Sequence, residues 1–90
     1  MFILTLKGKE EEGAYSVLNE EGEHIVYLFQ EEDDAVRYAM LLEEDDYPEM
    51  HIIEVEDSAI IKICEMNGYN YTLITPDDIV VPPNSYHDFV

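Results

Sequence analysis

Two hydrophobic periods alternate along this chain, and the points where one gives way to the other mark its elements. Phe2 to Lys7 is an apolar run of strand length. Gly8-Lys9-Glu10-Glu11-Glu12-Gly13 follows as a polar connection framed by glycines. Ala14 to Asn19 and His24 to Phe29 are two further apolar runs, separated by Glu20-Glu21-Gly22-Glu23. A short polar loop with glycine between such runs predicts a hairpin. His24-Ile25-Val26-Tyr27-Leu28-Phe29 is apolar on both alternating faces, which predicts a central strand.

The period then becomes helical. Between Gln30 and Asp46, residues Ala35, Val36, Ala39, Met40 and Leu42 form one stripe, with Tyr38 and Leu41 alongside. Glu31, Glu32, Asp33 and Asp34 open the segment, where carboxylates suit the free N–H groups and the helix dipole. Tyr47-Pro48 closes it, because the residue before a proline avoids helical angles. His51 to Val55 predicts a strand, and Asp57 a cap for a second helix. The buried side of that helix is expected at Ile60, Ile61, Ile63, Cys64 and Met66, with Gly68 as its left-handed stop. Asn70 to Thr75 returns to period two, Ile79-Val80-Val81 offers a short edge segment, and Asn84 to Val90 reads as a loose tail from which Tyr86 and Phe89 can dock.

The order β-β-β-α-β-α-β predicts one α+β domain over residues 1–83 with a C-terminal tail at 84–90. The expected architecture is a mixed sheet of about five strands with two helices. Each strand-helix-strand succession implies parallel neighbours joined by a right-handed crossover. The helices are expected largely on one face, with both faces as the alternative.

Charge then narrows the partners. Twenty-two acidic residues face four basic ones in ninety positions, a formal net charge of -18. Such a chain repels nucleic acid and anionic lipid and attracts basic protein surfaces. Direct nucleic-acid binding lacks its electrostatic footprint, since only Lys7, Lys9, Arg37 and Lys62 are basic. The charge does not imply disorder, because 47% of residues are hydrophobic and seven are tyrosines. The single cysteine excludes an internal disulfide and fits a reducing compartment. The cytoplasm, or a comparable reducing compartment, is therefore expected. The opening residues read as a strand rather than a signal peptide, and no apolar run approaches membrane-spanning length, so no membrane partner is expected.

Candidate chemistry is sparse. No phosphate cradle, nucleophile elbow or zinc spacing occurs, and no catalytic residue, metal site or cofactor is expected. Asp45, Asp46, Glu49 and His51 share a loop but do not follow a calcium-loop pattern. Cys64 lies with Ile61 and Ile63 around it on an amphipathic helix and is expected to be a buried, inert thiol. The oddest choice is Glu43-Glu44-Asp45-Asp46, negative charge at a helix end that prefers positive charge. A solvated exit loop accounts for it at little energetic cost. A contact patch for a basic partner accounts for it too, and Tyr47 beside it is the best single interface residue, since tyrosine is enriched in interfaces.

The stretch from Tyr27 to Glu43, with its acidic helix start followed by Ala35-Val36-Arg37-Tyr38-Ala39, resembles a family of short acidic proteins of cyanobacteria and plastids known only as a domain of unknown function. Asp46-Tyr47-Pro48, Gly68-Tyr69 and Val81-Pro82-Pro83 fit the same resemblance. It implies a photosynthetic organism or a virus that infects one, and it carries no catalytic residues. The expected function is a non-enzymatic module that docks on the basic surface of a larger assembly through Glu43, Glu44, Asp45, Asp46 and Tyr47. The alternative is a nucleic-acid mimic, and a divalent-metal or small-ligand sensor is third.

Self-repulsion at this charge must strain whatever core forms. Raising salt from about 0.1 M to about 1 M shortens the screening length from roughly 10 Å to about 3 Å. Denaturant midpoints measured at both ionic strengths are expected to rise with salt. A falling midpoint contradicts the self-repulsion account.

Overall fold

One strand, β3 (His24–Phe29), holds the sheet together. The computed structural model describes residues 1–78, 80, 82 and 87–90. In it, β5 (Asn70–Ile74) runs parallel to β3 from Ile25↔Asn70 to Phe29↔Ile74. The other edge of β3 is divided between two strands. β2 (Tyr15–Leu18) takes its first half, antiparallel, from Leu18↔His24 to Ser16↔Val26. β1 (Phe2–Leu6) touches it at Phe2↔Phe29. β1 then pairs along its whole length with β4 (Met50–Glu54), and β2 pairs with β6 (His87–Phe89). The result is a six-stranded mixed sheet that forks at β3, in an α+β fold.

The two helices lie on opposite faces of this sheet, not largely on one. Successive strand residues point to opposite faces. Leu4 and Phe29 pack with Ala35, Tyr38, Ala39 and Leu42 of α1 (Glu32–Glu44). Their sequence neighbours Ile3 and Leu28, with Val26, pack with Ile60 and Cys64 of α2 (Asp57–Asn67). The reason is visible in β1 and β3: both are apolar on both faces, so each face needs a cover. Nor do the strands joined through a helix become neighbours. β1 lies between β3 and β4, and α2 leads from β4 to β5, which pairs with β3.

The buried helical stripes are narrower than expected. In α1 the sheet-facing residues are Asp34, Ala35, Tyr38, Ala39 and Leu42, while Val36 and Met40 are exposed. The two small alanines lie in the core on the sheet side, and Val36 and Met40 lie on the outward flank. In α2 only Ile60 and Cys64 are buried, and Ile63 and Met66 face solvent.

Helix ends show one motif used twice. The Tyr47 N–H donates to the Leu42 carbonyl at 3.0 Å and the Asp46 N–H to Glu43 at 3.1 Å. The Tyr69 N–H donates to Cys64 at 2.9 Å and the Gly68 N–H to Glu65 at 3.3 Å. Both are the paired bonds that close a helix through a left-handed residue followed by an apolar contact. At Gly68 the left-handed position is glycine, with φ 72°; in α1 it is Asp46, with φ 68°. The helix starts are plainer. Glu31 and Glu56 occupy the N-cap positions and neither side chain makes a capping bond. Asp57 is not the cap. It is the first helical residue, and its carboxylate pairs with the Met1 amino group at 2.9 Å.

The largest correction concerns the tail. His87, Asp88 and Phe89 form β6, register Tyr15↔Phe89 through Val17↔His87. Phe89 packs against the α1-side core. Val90 and Ala14 extend the ladder with two backbone bonds, at 2.6 and 2.9 Å. Gly13 permits this approach. Its φ is 103°, and a Cβ there would fall on the Val90 carbonyl. Tyr86, Ile79 and Val81, which figured in the expected tail and edge segment, lie outside the described residues.

Gly13→Ala therefore meets two penalties, a left-handed backbone and a backbone clash. It is expected to lower stability by about 1–3 kcal/mol and to speed amide exchange at Ala14 and Val90. Denaturant melts and hydrogen exchange check this.

Candidate functional site

The end of α1 brings the acidic run and an aromatic cluster together. Glu43 and Glu44 close the helix, Asp45 is its C-cap, and Asp46 turns the chain through the left-handed region. All four side chains are exposed, and among the described residues none forms an ion pair. By contrast, the acidic helix start is partly engaged: Asp34 is buried and its Oδ1 accepts from Arg37 Nη2 at 2.7 Å, while its buried Oδ2 has no hydrogen-bond partner among the described residues.

Tyr47 follows the run but is not simply exposed. Its ring is half-buried, packs against the α1-side core and lies 4.4 Å from the His87 ring. The bond from its N–H to Leu42 fixes this placement, since it is the residue that completes the helix stop. The five residues expected to meet a partner therefore form one continuous turn, with carboxylates outward and an aromatic anchored inward.

Behind Tyr47 lies a hydroxyl network not apparent from the sequence. Tyr15 and Tyr38, 1% and 2% exposed, share a hydrogen bond of 2.9 Å between their hydroxyls. The Tyr15 hydroxyl also bonds His87 Nδ1. Tyr27 packs edge-on at 5.5 Å from Tyr38 and tilted at 5.8 Å from Tyr15, and Phe29 and Phe89 complete the cluster. Burial, before any neighbouring charge, raises the phenol pKa of Tyr15, Tyr38, Tyr27 and Tyr47 above the ordinary value. The one sequence signal was the number of tyrosines, more than can be buried without hydroxyl partners. No local pattern pairs residues as far apart as Tyr15 and His87.

On the α2 face, Ser16, His24 and Asp88 converge without forming a proton relay. Ser16 Oγ lies 3.4 Å from His24 Nδ1, and Asp88 Oδ2 lies 3.8 Å from the same nitrogen. A relay needs the hydroxyl and the carboxylate on different imidazole nitrogens. Ser16 is fully buried and its hydroxyl donates to the Asp88 carbonyl at 3.2 Å. Beside them an apolar groove of about 240 Å³ is lined by Ala14, Val26, Ile60, Ile63 and Cys64, among others. Cys64 is 2% exposed, and burial, then the Glu65 carboxylate, pushes its thiol pKa up.

Two of the four loop residues noted in the sequence have partners elsewhere in the chain. Glu49 pairs with Lys7 at 3.1 Å, and His51 Nδ1 faces Glu10 Oε2 at 3.7 Å. Among the described residues no group of three or more metal-ligating side chains comes together, and no helix is long and apolar enough to cross a membrane.

The tyrosine network sets a pH dependence. A buried phenol stays protonated in the folded chain, whereas in the unfolded chain it ionises near the ordinary value of 10.0. Above that pH the folded state binds more protons than the unfolded one, so stability falls as pH rises; below it the contribution is intact. Phenolate absorbance of the buried tyrosines is expected to appear together with alkaline unfolding. Tyr15→Phe should cost about 1–3 kcal/mol at neutral pH, because it removes the buried bond to the Tyr38 hydroxyl, and should flatten the alkaline loss.

No curated protein and no solved structure matches the chain. A family model does match, over residues 1–84, and on that extent the chain belongs to the family described as Domain of unknown function (DUF3110).

Proposed function

We propose that this protein is a non-enzymatic acidic module that docks on the basic surface of a larger assembly through Glu43, Glu44, Asp45, Asp46 and Tyr47. The observation that carries the reading is Asp46. Its negative charge sits at the helix end that disfavours it, and its backbone has a conformation in which glycine is less strained. Two local preferences are overridden at one exposed position, a pattern associated with functional positions. Tyr47, held in place by the same turn, adds a fixed aromatic surface beside four carboxylates available for charge-assisted bonds to lysine or arginine.

The family resemblance to acidic proteins of cyanobacteria and plastids favours a photosynthetic, carbon-fixation or transcription assembly, in the cytoplasm or the plastid stroma. A nucleic-acid mimic is the second reading, supported by the charge of -18. Competition separates the two, since nucleic acid displaces a mimic from its partner and leaves a docking module in place. Calorimetry with calcium, magnesium and manganese addresses the sensor reading.

The test compares two quadruple variants against a partner recovered by low-salt pull-down and identified by mass spectrometry. Neutralising Glu43, Glu44, Asp45 and Asp46 to Gln and Asn is expected to weaken binding and flatten its salt dependence. Melting temperature should stay level or rise slightly, since each charge at a helix C-terminus costs about 0.3–1 kcal/mol at most. The same changes at Glu31, Glu32, Asp33 and Asp34 should lower melting temperature, chiefly through the buried Asp34 and its bond to Arg37. Wild-type affinity across salt for the first variant reduces the run to a solvated helix end.

A further inference from the structure

The sheet leaves one outer strand without the usual protection. Outer strands are normally shielded by charge, proline or shortness, because their unpaired N–H and C=O groups recruit other chains. β4 carries His51 and Glu54, and β6 has three residues with Asp88 at its centre. β5 is Asn70-Tyr71-Thr72-Leu73-Ile74, five residues with neither charge nor proline in a chain that is 29% charged. Its inner edge is taken by β3 along its full length, and among the described residues no strand pairs with the other. Asn70, Tyr71, Thr72 and Leu73 are all exposed. Tyr71 and Leu73, opposite Val26 and Leu28 in register, share the α2 face and are 41% and 45% exposed.

Charge defines what can be added there. At the start of β5, Asn70 lies against Glu23, with Glu21 beside that carboxylate. At its end, Asp78 lines a cavity of about 250 Å³ with Thr72, Leu73 and Ile74, and Asp77 precedes it. The uncharged strand is thus bracketed by acids at both ends. A second copy of this chain, itself at -18, would bring those acids against its own. An extended segment bearing lysine or arginine meets complementary charge at both ends and apolar side chains between.

We propose that the outer edge of β5 takes an extended, basic segment of a partner protein as an additional strand, with its apolar residues against Tyr71 and Leu73 and its cations toward Glu21, Glu23, Asp77 and Asp78. Main-chain bonds supply affinity in such pairing, and alternate side chains supply selectivity. The surface is separate from the acidic turn at the end of α1 and does not depend on it. The net charge then does what edge lysines do elsewhere, repelling like copies while admitting a cationic strand.

The probe is a synthetic peptide alternating lysine and valine, beside a copy N-methylated at alternate residues that keeps its charge but cannot complete a ladder, and a serine-for-lysine copy. The lysine peptide is expected to slow amide exchange across Asn70–Ile74. The N-methylated and serine copies should each bind at least tenfold more weakly. Tyr71→Lys with Leu73→Lys should lose binding to the same extent, while Val36→Lys with Met40→Lys, exposed on α1 and equal in charge, should lose much less. Neutralising Glu43 to Asp46 should leave protection at β5 in place, which separates this surface from the acidic turn. Equal affinity for the lysine peptide and its N-methylated copy, equal affinity for the serine copy, protection confined to residues 43–46, or dimers of the chain paired through β5 would each overturn the proposal.

Discussion

The Tyr15 hydroxyl is where the fold is joined. It bonds Tyr38 on α1 and His87 on β6, from a strand that itself pairs with β3. A buried hydroxyl without partners is costly, so these three elements are fixed relative to one another by a requirement stronger than apolar contact alone. The chemistry of the joint suits the composition. With four basic residues against twenty-two acidic ones, the chain has few cations with which to neutralise a buried carboxylate. Asp34 illustrates the difficulty: Arg37 satisfies one oxygen, and the other is buried with no partner among the described residues. Phenols and an imidazole connect the interior without adding negative charge to it.

Much of the layout was readable in the residues. β3 announced itself by being apolar on both faces, and the helical stretches by their stripes and by Gly68. The placement of the helices was not read from it: they were expected largely on one face, whereas a strand apolar on both sides needs a cover on each, and the structure has α1 on one and α2 on the other. Stripe boundaries were less legible, because Val36, Met40, Ile63 and Met66 are apolar yet exposed. Hydrophobicity locates a helix, but in α1 the flank that meets the sheet carries the small Ala35 and Ala39 rather than the larger Val36 and Met40.

Two parts were hidden for a different reason. β6 is three residues, His87-Asp88-Phe89, too short for any period to register. Its extension at Val90 is permitted by Gly13, whose missing side chain makes room for the Val90 backbone. The acidic turn was visible as an oddity of charge, but its geometry was not, since Asp46 occupies a left-handed position more often held by glycine. Nothing near Tyr47 in sequence indicates that its ring rests on His87. Interactions between residues distant in sequence leave no local trace, and the hydroxyl joint is made of them.

That distance also orders events at the ribosome. Synthesis proceeds from the N-terminus, and contacts distant in sequence form only after both members have emerged. β2 can pair with β3 early, because the hairpin between them is local. Tyr15 then waits, its hydroxyl short of one partner, until His87 has left the exit tunnel, 72 residues later. Through that interval the edge of β2 later occupied by β6 is open, and so is the edge of β5 once β5 has formed. In this nascent chain, the accumulating negative charge would keep neighbouring copies on a polysome apart during the period when unpaired strands are most exposed.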